Sequence, residues 1–168
     1  DEFHDFNIAR LLRWPHTLNA TSTHDTKRGE DARARINVIS EIPGEWEQVL
    51  KSWHKINRPL KSAVKDGIRG PDNNDEIFIY QSLLGAWPFD PAEFETFPQR
   101  MKDFIIKAIR ESKVHTAWIK PDALYEESCL RFLDALLARR DPNPFLERFL
   151  PFQRRVAFFG IFNSLSQT

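Results

Sequence analysis

The 168-residue chain carries 24 Lys and Arg residues and 24 Asp and Glu residues, so its formal net charge at pH 7 is zero. This balance argues against nucleic-acid binding, which needs an excess of positive charge to neutralise phosphates. The 41% hydrophobic content excludes a disordered protein, and no apolar run reaches the ~20 residues of a membrane-spanning helix.

Cysteine usage and the N-terminal sequence bear on the compartment. The single cysteine, Cys129, cannot form a disulfide within the chain or build a cysteine-based zinc site alone. Residues 1–6 have neither the basic start nor the apolar core of a signal peptide. We therefore predict a cytoplasmic protein. Because the chain begins without methionine, we also expect it to be part of a longer polypeptide.

The chain begins with a segment, residues 1–28, that we predict to be an extended arm. Residues 18–23 have the composition of extended backbone, although they are too polar to form a buried strand alone. No hairpin is predicted anywhere in the chain. Residues 61–74, which contain Asp66 and Gly67, are predicted to form a loop.

Helical patterns occupy the rest of the chain, residues 29–168. Apolar residues recur at intervals of three and four, and prolines stand at the predicted helix boundaries. The predicted helices cover about residues 29–42, 43–58, 74–87, 98–114, 121–140, 143–150 and 151–162. We therefore predict an all-α fold, an irregular bundle of about seven helices that follows the N-terminal arm.

The stretch from Trp14 to Asp31 is the richest in reactive side chains. Small hydroxylic residues lead into four charged or titratable ones, His24, Asp25, Lys27 and Arg28. In α/β enzymes an extended segment before a helix commonly carries site residues, because the strand holds them rigidly. The alternative is a capped loop, in which Asp25 or Thr26 caps the helix.

A metal site and a catalytic triad are weaker hypotheses for the N-terminal part of the chain. Imidazole and carboxylate ligands are available, but no pair has the i, i+4 histidine spacing that places two ligands on one helix face. These ligands would be His4, Asp5, His16, His24 and Asp25. A triad of Ser22, His24 and Asp25 fails because adjacent residues on an extended chain point to opposite sides.

Tryptophan and cysteine side chains are two further candidates for chemistry. Trp14, Trp87 and Trp118 are candidates for stacking on sugars, although each is expected in the core or at a helix cap. Cys129 lies within a predicted helix without a histidine partner, so we predict an unreactive thiol.

Three segments of the sequence carry a family resemblance. The first comprises residues 4–7 and 14–36 and contains WPHTLNATSTHDTKRGED. The second runs from residue 74 to residue 88 and contains YQSLLGAWP, and the third is residues 107–118. Together they closely resemble the maltooligosyl trehalose synthases, which are (1→4)-α-D-glucan 1-α-D-glucosylmutases of the α-amylase superfamily.

The resemblance implies an isomerase that works by intramolecular glucosyl transfer. The family converts the reducing-end α-1,4 linkage of a maltooligosaccharide into an α,α-1,1 linkage, using one carboxylate as nucleophile and a second as general acid/base. His24 and Asp25 match the His-Asp pair of the superfamily's fourth conserved region. The resemblance therefore implies a catalytic role for Asp25 and substrate binding by His24, Lys27 and Arg28.

The family's nucleophile and acid/base belong to a (β/α)8 barrel, and no segment of this chain matches their motifs. We therefore predict that residues 1–28 match the barrel's seventh strand and residues 29–168 form a helical subdomain. The expected partners are a maltooligosaccharide and the remainder of the parent enzyme, with no cofactor, metal, nucleic acid or membrane. The chain alone is predicted to be inactive. The alternative hypothesis is a non-catalytic helical scaffold or interaction module.

Overall fold

The computed structural model describes residues 1–18, 20–23, 26–65 and 67–167. Within these ranges the chain forms seven α-helices and one two-stranded antiparallel sheet. The helices are α1 (Glu2–Arg13), α2 (Glu30–Glu41), α3 (Pro43–Asn57), α4 (Asn73–Ala86), α5 (Phe97–Ser112), α6 (Ala123–Leu137) and α7 (Pro144–Leu165). The strands are β1 (Ser62–Ala63) and β2 (Arg69–Gly70), and short 3-10 helices occupy Arg58–Leu60 and Pro91–Glu95. The predicted all-α class is confirmed.

The N-terminal arm, which the sequence predicts to be extended, begins with a helix. The Asp1 carboxylate caps α1 by accepting hydrogen bonds from the backbone N–H groups of Phe3 and His4. Acidic residues in the first turn and arginines in the last complement the helix dipole. No residue of α1 is buried. The N-terminal cap and the charges at both ends therefore account for this helix, since it has no apolar face buried against a core.

A single long helix, α7, replaces two shorter predicted ones. The prediction of a break at Pro151 is wrong, since α7 continues through that residue. Pro151 removes one helical hydrogen bond. The neighbouring rings of Phe149 and Phe152 are buried in the core, and this burial favours an unbroken helix.

A small hairpin occupies the region that the sequence predicts to be a loop. Ser62 pairs with Gly70 and Ala63 with Arg69, so the prediction of no hairpin is wrong. Gly67 adopts φ = 79°, a left-handed conformation that glycine enters without steric cost. Asp66 lies outside the described residues.

The core is built around Trp53 of α3, which is 1% exposed. Its indole contacts the rings of Tyr80, Phe145, Phe149 and Phe152 at centroid distances of 5.2–5.8 Å. These rings come from α4 and α7, so three helices share one aromatic cluster. Such ring pairs stabilise a core beyond the area that they bury.

Helix α2 packs against both α4 and α7. Two glycines allow this close approach, because a Cβ on Gly160 would lie 2.8 Å from Arg35 Cα and one on Gly85 would lie 3.0 Å from the Ala32 carbonyl oxygen. The packing fixes the N-terminal end of α2, where the stretch rich in reactive side chains ends.

Candidate functional site

The segment between α1 and α2 has no helix or strand among its described residues. The Thr23 backbone N–H donates to Thr26 Oγ1 at 2.9 Å, and the Thr26 N–H donates to the Thr23 carbonyl oxygen at 3.1 Å. His24 and Asp25, the predicted substrate-binding and catalytic residues, lie outside the described residues. Helix α2 is capped by Gly29 without a side-chain hydrogen bond, so capping by Thr26 is not observed.

Lys27 is attached to α5. Its ammonium forms an ion pair with Glu111 Oε2, in the last turn of that helix. The Lys27 side chain is 46% exposed and that of Glu111 is 26% exposed. An ammonium carries three N–H donors, so Lys27 keeps donors for a ligand while Glu111 holds it.

Arg28 is attached to α4. Its Nη2 donates to Ser82 Oγ at 3.2 Å, and the guanidinium carbon lies 4.8 Å from the centroid of the Phe78 ring. Burial lowers the pKa of Arg28 below its usual value. Its Nε is buried and has no acceptor among the described residues. Lys27 and Arg28, adjacent in sequence, are therefore bound to two different helices.

A cavity of about 230 Å³ lies beside these two cations. Its walls combine the charged groups of Lys27, Arg28 and Arg100 with apolar side chains of α5. Phe97, Met101 and Phe104 form the apolar part. This volume is below the ~300–1,000 Å³ of pockets that bind drug-sized ligands. The cavity therefore admits a small ligand of about one sugar ring and not an oligosaccharide.

The first and second family-like segments also meet through Arg35. Its Nη1 donates to the carbonyl oxygen of Trp87 at 2.6 Å, and its guanidinium lies 4.1 Å from the Phe89 ring centroid. Burial lowers the pKa of Arg35, against the opposing effect of Asp31 and Glu93. Arg35 is therefore a structural cation that joins α2 to the end of α4.

A carboxylate network fixes the end of the third family-like segment. Arg110 donates from Nε and Nη2 to the two oxygens of Glu126, both at 2.7 Å, and Thr116 Oγ1 donates to Glu126 Oε1 at 2.6 Å. The hydrogen bonds from Arg110, followed by that from Thr116, lower the pKa of Glu126 despite its burial. Trp118 covers the Arg110 guanidinium at 4.8 Å.

A second network buries a carboxylate of the second segment. Glu76, 1% exposed, accepts from Lys61 Nζ at 2.6 Å and from the Tyr80 hydroxyl at 2.7 Å. His54 Nδ1 is hydrogen-bonded to the same carboxylate at 2.8 Å. Buried charges require partners of this kind. Glu76, like Arg35 and Arg110, is therefore a polar residue of the family-like segments that holds helices together.

The sugar-stacking and thiol hypotheses have different outcomes. Trp87 is 7% exposed and belongs to the core, whereas Trp14 and Trp118 are 63% and 57% exposed. The prediction of a core or cap position is therefore confirmed for Trp87 and for Trp14, which is the C-cap residue of α1. It is wrong for Trp118, which is exposed and caps neither of the helices beside it. Cys129 is fully buried, and burial raises the pKa of its thiol to about 12, which agrees with an unreactive thiol.

In the described part of the chain, side chains of the types that bind metals lie close together at one place, and none of the three is a predicted ligand. Asp72, Asp75 and His115 place ligand atoms within 4.8 Å of one another. Asp72 Oδ1 caps α4 by accepting from the Asp75 N–H, and Asp72 Oδ2 is hydrogen-bonded to His115 Nε2 at 2.8 Å. These contacts account for the cluster as a helix cap.

The sequence did not assign roles to Glu111 or Ser82, the two residues that hold the predicted site cations. Both lie inside the quoted segments, and their polar character was the available signal. Pairing them with Lys27 and Arg28 requires knowing which faces of α4 and α5 lie beside the residues that precede α2.

In the described ranges, no helix is long and apolar enough to cross a membrane.

Comparison of sequences and comparison of structures find relatives with the same name. Two Mycobacterium tuberculosis proteins that carry the name maltooligosyl trehalose synthase are each 34% identical to this chain over 136 residues. The match covers 81% of this chain and 16% of those proteins. No protein-family model matches the chain.

Solved structures match nearly the whole chain. A crystal structure of maltooligosyl trehalose synthase has a TM-score of 0.72 and 36% identity over 99% of this chain, which is 21% of that structure. The maltooligosyltrehalose synthase of Arthrobacter ramosus has a TM-score of 0.70 and 28% identity over 98% of this chain, which is 19% of that structure. The chain thus spans about a fifth of the length of the structures that it matches.

Proposed function

The chain belongs to the maltooligosyl trehalose synthase family, and we propose that it supplies part of the active site for an intramolecular glucosyl transfer. The single observation that carries this proposal is the agreement of sequence and fold across almost all of its length. The proposed substrate is a maltooligosaccharide, and the proposed partner is a catalytic barrel that provides the remaining groups.

The proposed reaction has two steps that conserve all atoms. The bond between the anomeric carbon and O4 of the reducing-end glucose breaks, O4 takes a proton from the acid/base, and the anomeric carbon bonds to a carboxylate nucleophile. The anomeric hydroxyl of the released glucose then attacks that carbon, the bond from the carbon to the nucleophile's carboxylate breaks, and the hydroxyl proton passes to the acid/base. Both carboxylates are proposed to lie in the barrel.

Asp25 is proposed to accept hydrogen bonds from the 2-OH and 3-OH of the reacting sugar. These bonds strengthen as positive charge develops on the ring, so they stabilise the transition state more than the bound substrate. His24 is proposed to donate to a neighbouring hydroxyl. Residues 1–28 are proposed to continue the seventh strand of the barrel, which would carry this pair.

Lys27 and Arg28 are proposed to hold the released glucose while it turns over. The cavity beside them has the volume of about one sugar ring and combines N–H donors with an apolar wall. Keeping the glucose in place and water out favours isomerisation over hydrolysis. The buried, unpaired Cys129 fits a reducing compartment, and we propose a cytoplasmic location.

The test is a chimera in which this chain replaces the matching segment of the Arthrobacter ramosus enzyme. With maltopentaose, we expect loss of reducing ends without free glucose, and loss of that activity in Asp25→Ala. The relative's own segment, reinserted at the same junctions, is the control. An inactive chimera beside an active control, or an active Asp25→Ala chimera, would contradict the proposal.

The scaffold alternative makes a different prediction for the chain alone. If the chain contributes to a sugar site, titration calorimetry should detect weak maltopentaose binding that His24→Ala weakens further. A scaffold would show no binding. Turnover by the 168-residue chain itself would contradict the proposal that both barrel carboxylates are required.

A further inference from the structure

The ion pair between Lys27 and Glu111 joins the candidate site to a helix that is remote in sequence. Glu111 stands in the last turn of α5, where the helix dipole disfavours a carboxylate and favours a cation. The Lys27 ammonium compensates both the carboxylate and the dipole. Glu111 is therefore placed where its charge is stabilised by a partner, and the partner in this structure is Lys27.

The neighbouring residue gives an independent anchor on another helix. Arg28 Nη2 donates to Ser82 Oγ, and that hydroxyl donates in turn to the Phe78 carbonyl oxygen at 2.7 Å. Phe78 lies beneath the guanidinium and stacks on Phe104 at 5.8 Å between ring centroids. The Lys27 contact thus attaches the chain to α5, and the Arg28 contact attaches it to α4.

The ion pair with Glu111 fixes one of the two cations that lie beside the cavity. We propose that Glu111 is a positioning residue, which holds Lys27 so that the two cations beside the cavity keep one geometry around the released glucose. This inference rests on the proposed function.

The predicted consequence concerns the choice between isomerisation and hydrolysis. When Lys27 is loosened, the released glucose is held less well and water competes for the glycosyl intermediate. In the chimera, Glu111→Gln should lower the ratio of maltooligosyl trehalose to free glucose on the order of tenfold. The KM for maltopentaose should change less than this ratio, and Glu111→Asp should restore part of it.

The matched control is Asp134→Asn. Asp134 Oδ1 forms another ion pair with α5, at 2.7 Å from Lys102 Nζ, and its side chain is 52% exposed. Loss of this pair should leave the product ratio unchanged. An unchanged ratio in Glu111→Gln, with Asp25→Ala inactive, would overturn the positioning role alone. An active Asp25→Ala chimera would overturn the proposed function itself.

A second measurement uses the 168-residue chain and needs no activity. Hydrogen–deuterium exchange should become faster in a peptide covering residues 20–29 in Glu111→Gln, and it should be unchanged there in Asp134→Asn. Equal exchange of this peptide in wild type and Glu111→Gln would overturn the inference.

Discussion

The segment up to Arg28 and the body formed by α2 to α7 are stabilised in different ways. In the body, Trp53 is surrounded by rings from two other helices, and buried carboxylates find cations or hydroxyls within the same body. In the N-terminal segment no described residue is buried. Its described attachments to α4 and α5 are the polar contacts of Lys27 and Arg28.

Because of this difference, the stability of the chain comes mainly from the body, whereas the proposed site residues belong to the N-terminal segment. Burial of apolar area provides most of the free energy of folding, so the body supplies most of the stability of this chain. The partly exposed ion pair of Lys27 and the single hydrogen bond of the half-buried Arg28 contribute little stability, but they fix geometry. Lys27 and Arg28, two of the proposed site residues, are therefore held by the body without adding much to its stability.

The largest expected effect is in the body. Trp53→Ala removes the centre of the aromatic cluster and should lower the free energy of unfolding by about 3–5 kcal/mol. Urea denaturation followed by circular dichroism measures this loss. A loss below about 1 kcal/mol would mean that the cluster relaxes to fill the cavity, and it would contradict the central position given to Trp53.

Helix packing within the body should be nearly as sensitive. Gly160→Ala places a Cβ 2.8 Å from Arg35 Cα, so α2 and α7 must separate, at about 2–3 kcal/mol. Gly44→Ala is the matched control, because a Cβ there meets nothing within 4 Å. Equal thermal midpoints for the two variants would show that α2 and α7 are less closely packed than described.

The Glu126 network gives a smaller, pH-dependent effect. Glu126→Gln should lower the thermal midpoint at pH 7 by roughly 3–6 °C, because the bidentate contact with Arg110 is lost. The folded-state pKa of Glu126 is lowered, so its stabilisation is present above the unfolded pKa of about 4.3 and is lost as pH falls through the folded value. Melting curves of both proteins from pH 7 to pH 3 should converge. A constant difference across this range would contradict the assignment.

The smallest effect is expected in the N-terminal segment. Deletion of residues 1–13 should change the free energy of unfolding by less than about 0.5 kcal/mol, because α1 buries no residue. Urea denaturation of the truncated chain measures this. A loss of several kcal/mol would show that α1 packs on the body, and the comparison between the two regions would then fail.

Much of the fold could be predicted from the sequence. Period-three and period-four apolar patterns located α2 to α6, because a helix packed on a core must bury one face. The same reasoning missed α1, which has no buried face, and divided α7 at Pro151. The hairpin at Gly67 was missed because two-residue strands are too short to show alternation.

The sequence by itself determined the all-α class and, through three resembling segments, the family to which the chain belongs. Only the tertiary structure decided which partners the polar residues of those segments meet. Glu111 pairs with Lys27, Ser82 with Arg28, and Glu126 with Arg110 because the packing of α2, α4, α5 and α6 brings their faces together. Local patterns encode which face of a helix is apolar, but they do not encode which helix that face will contact.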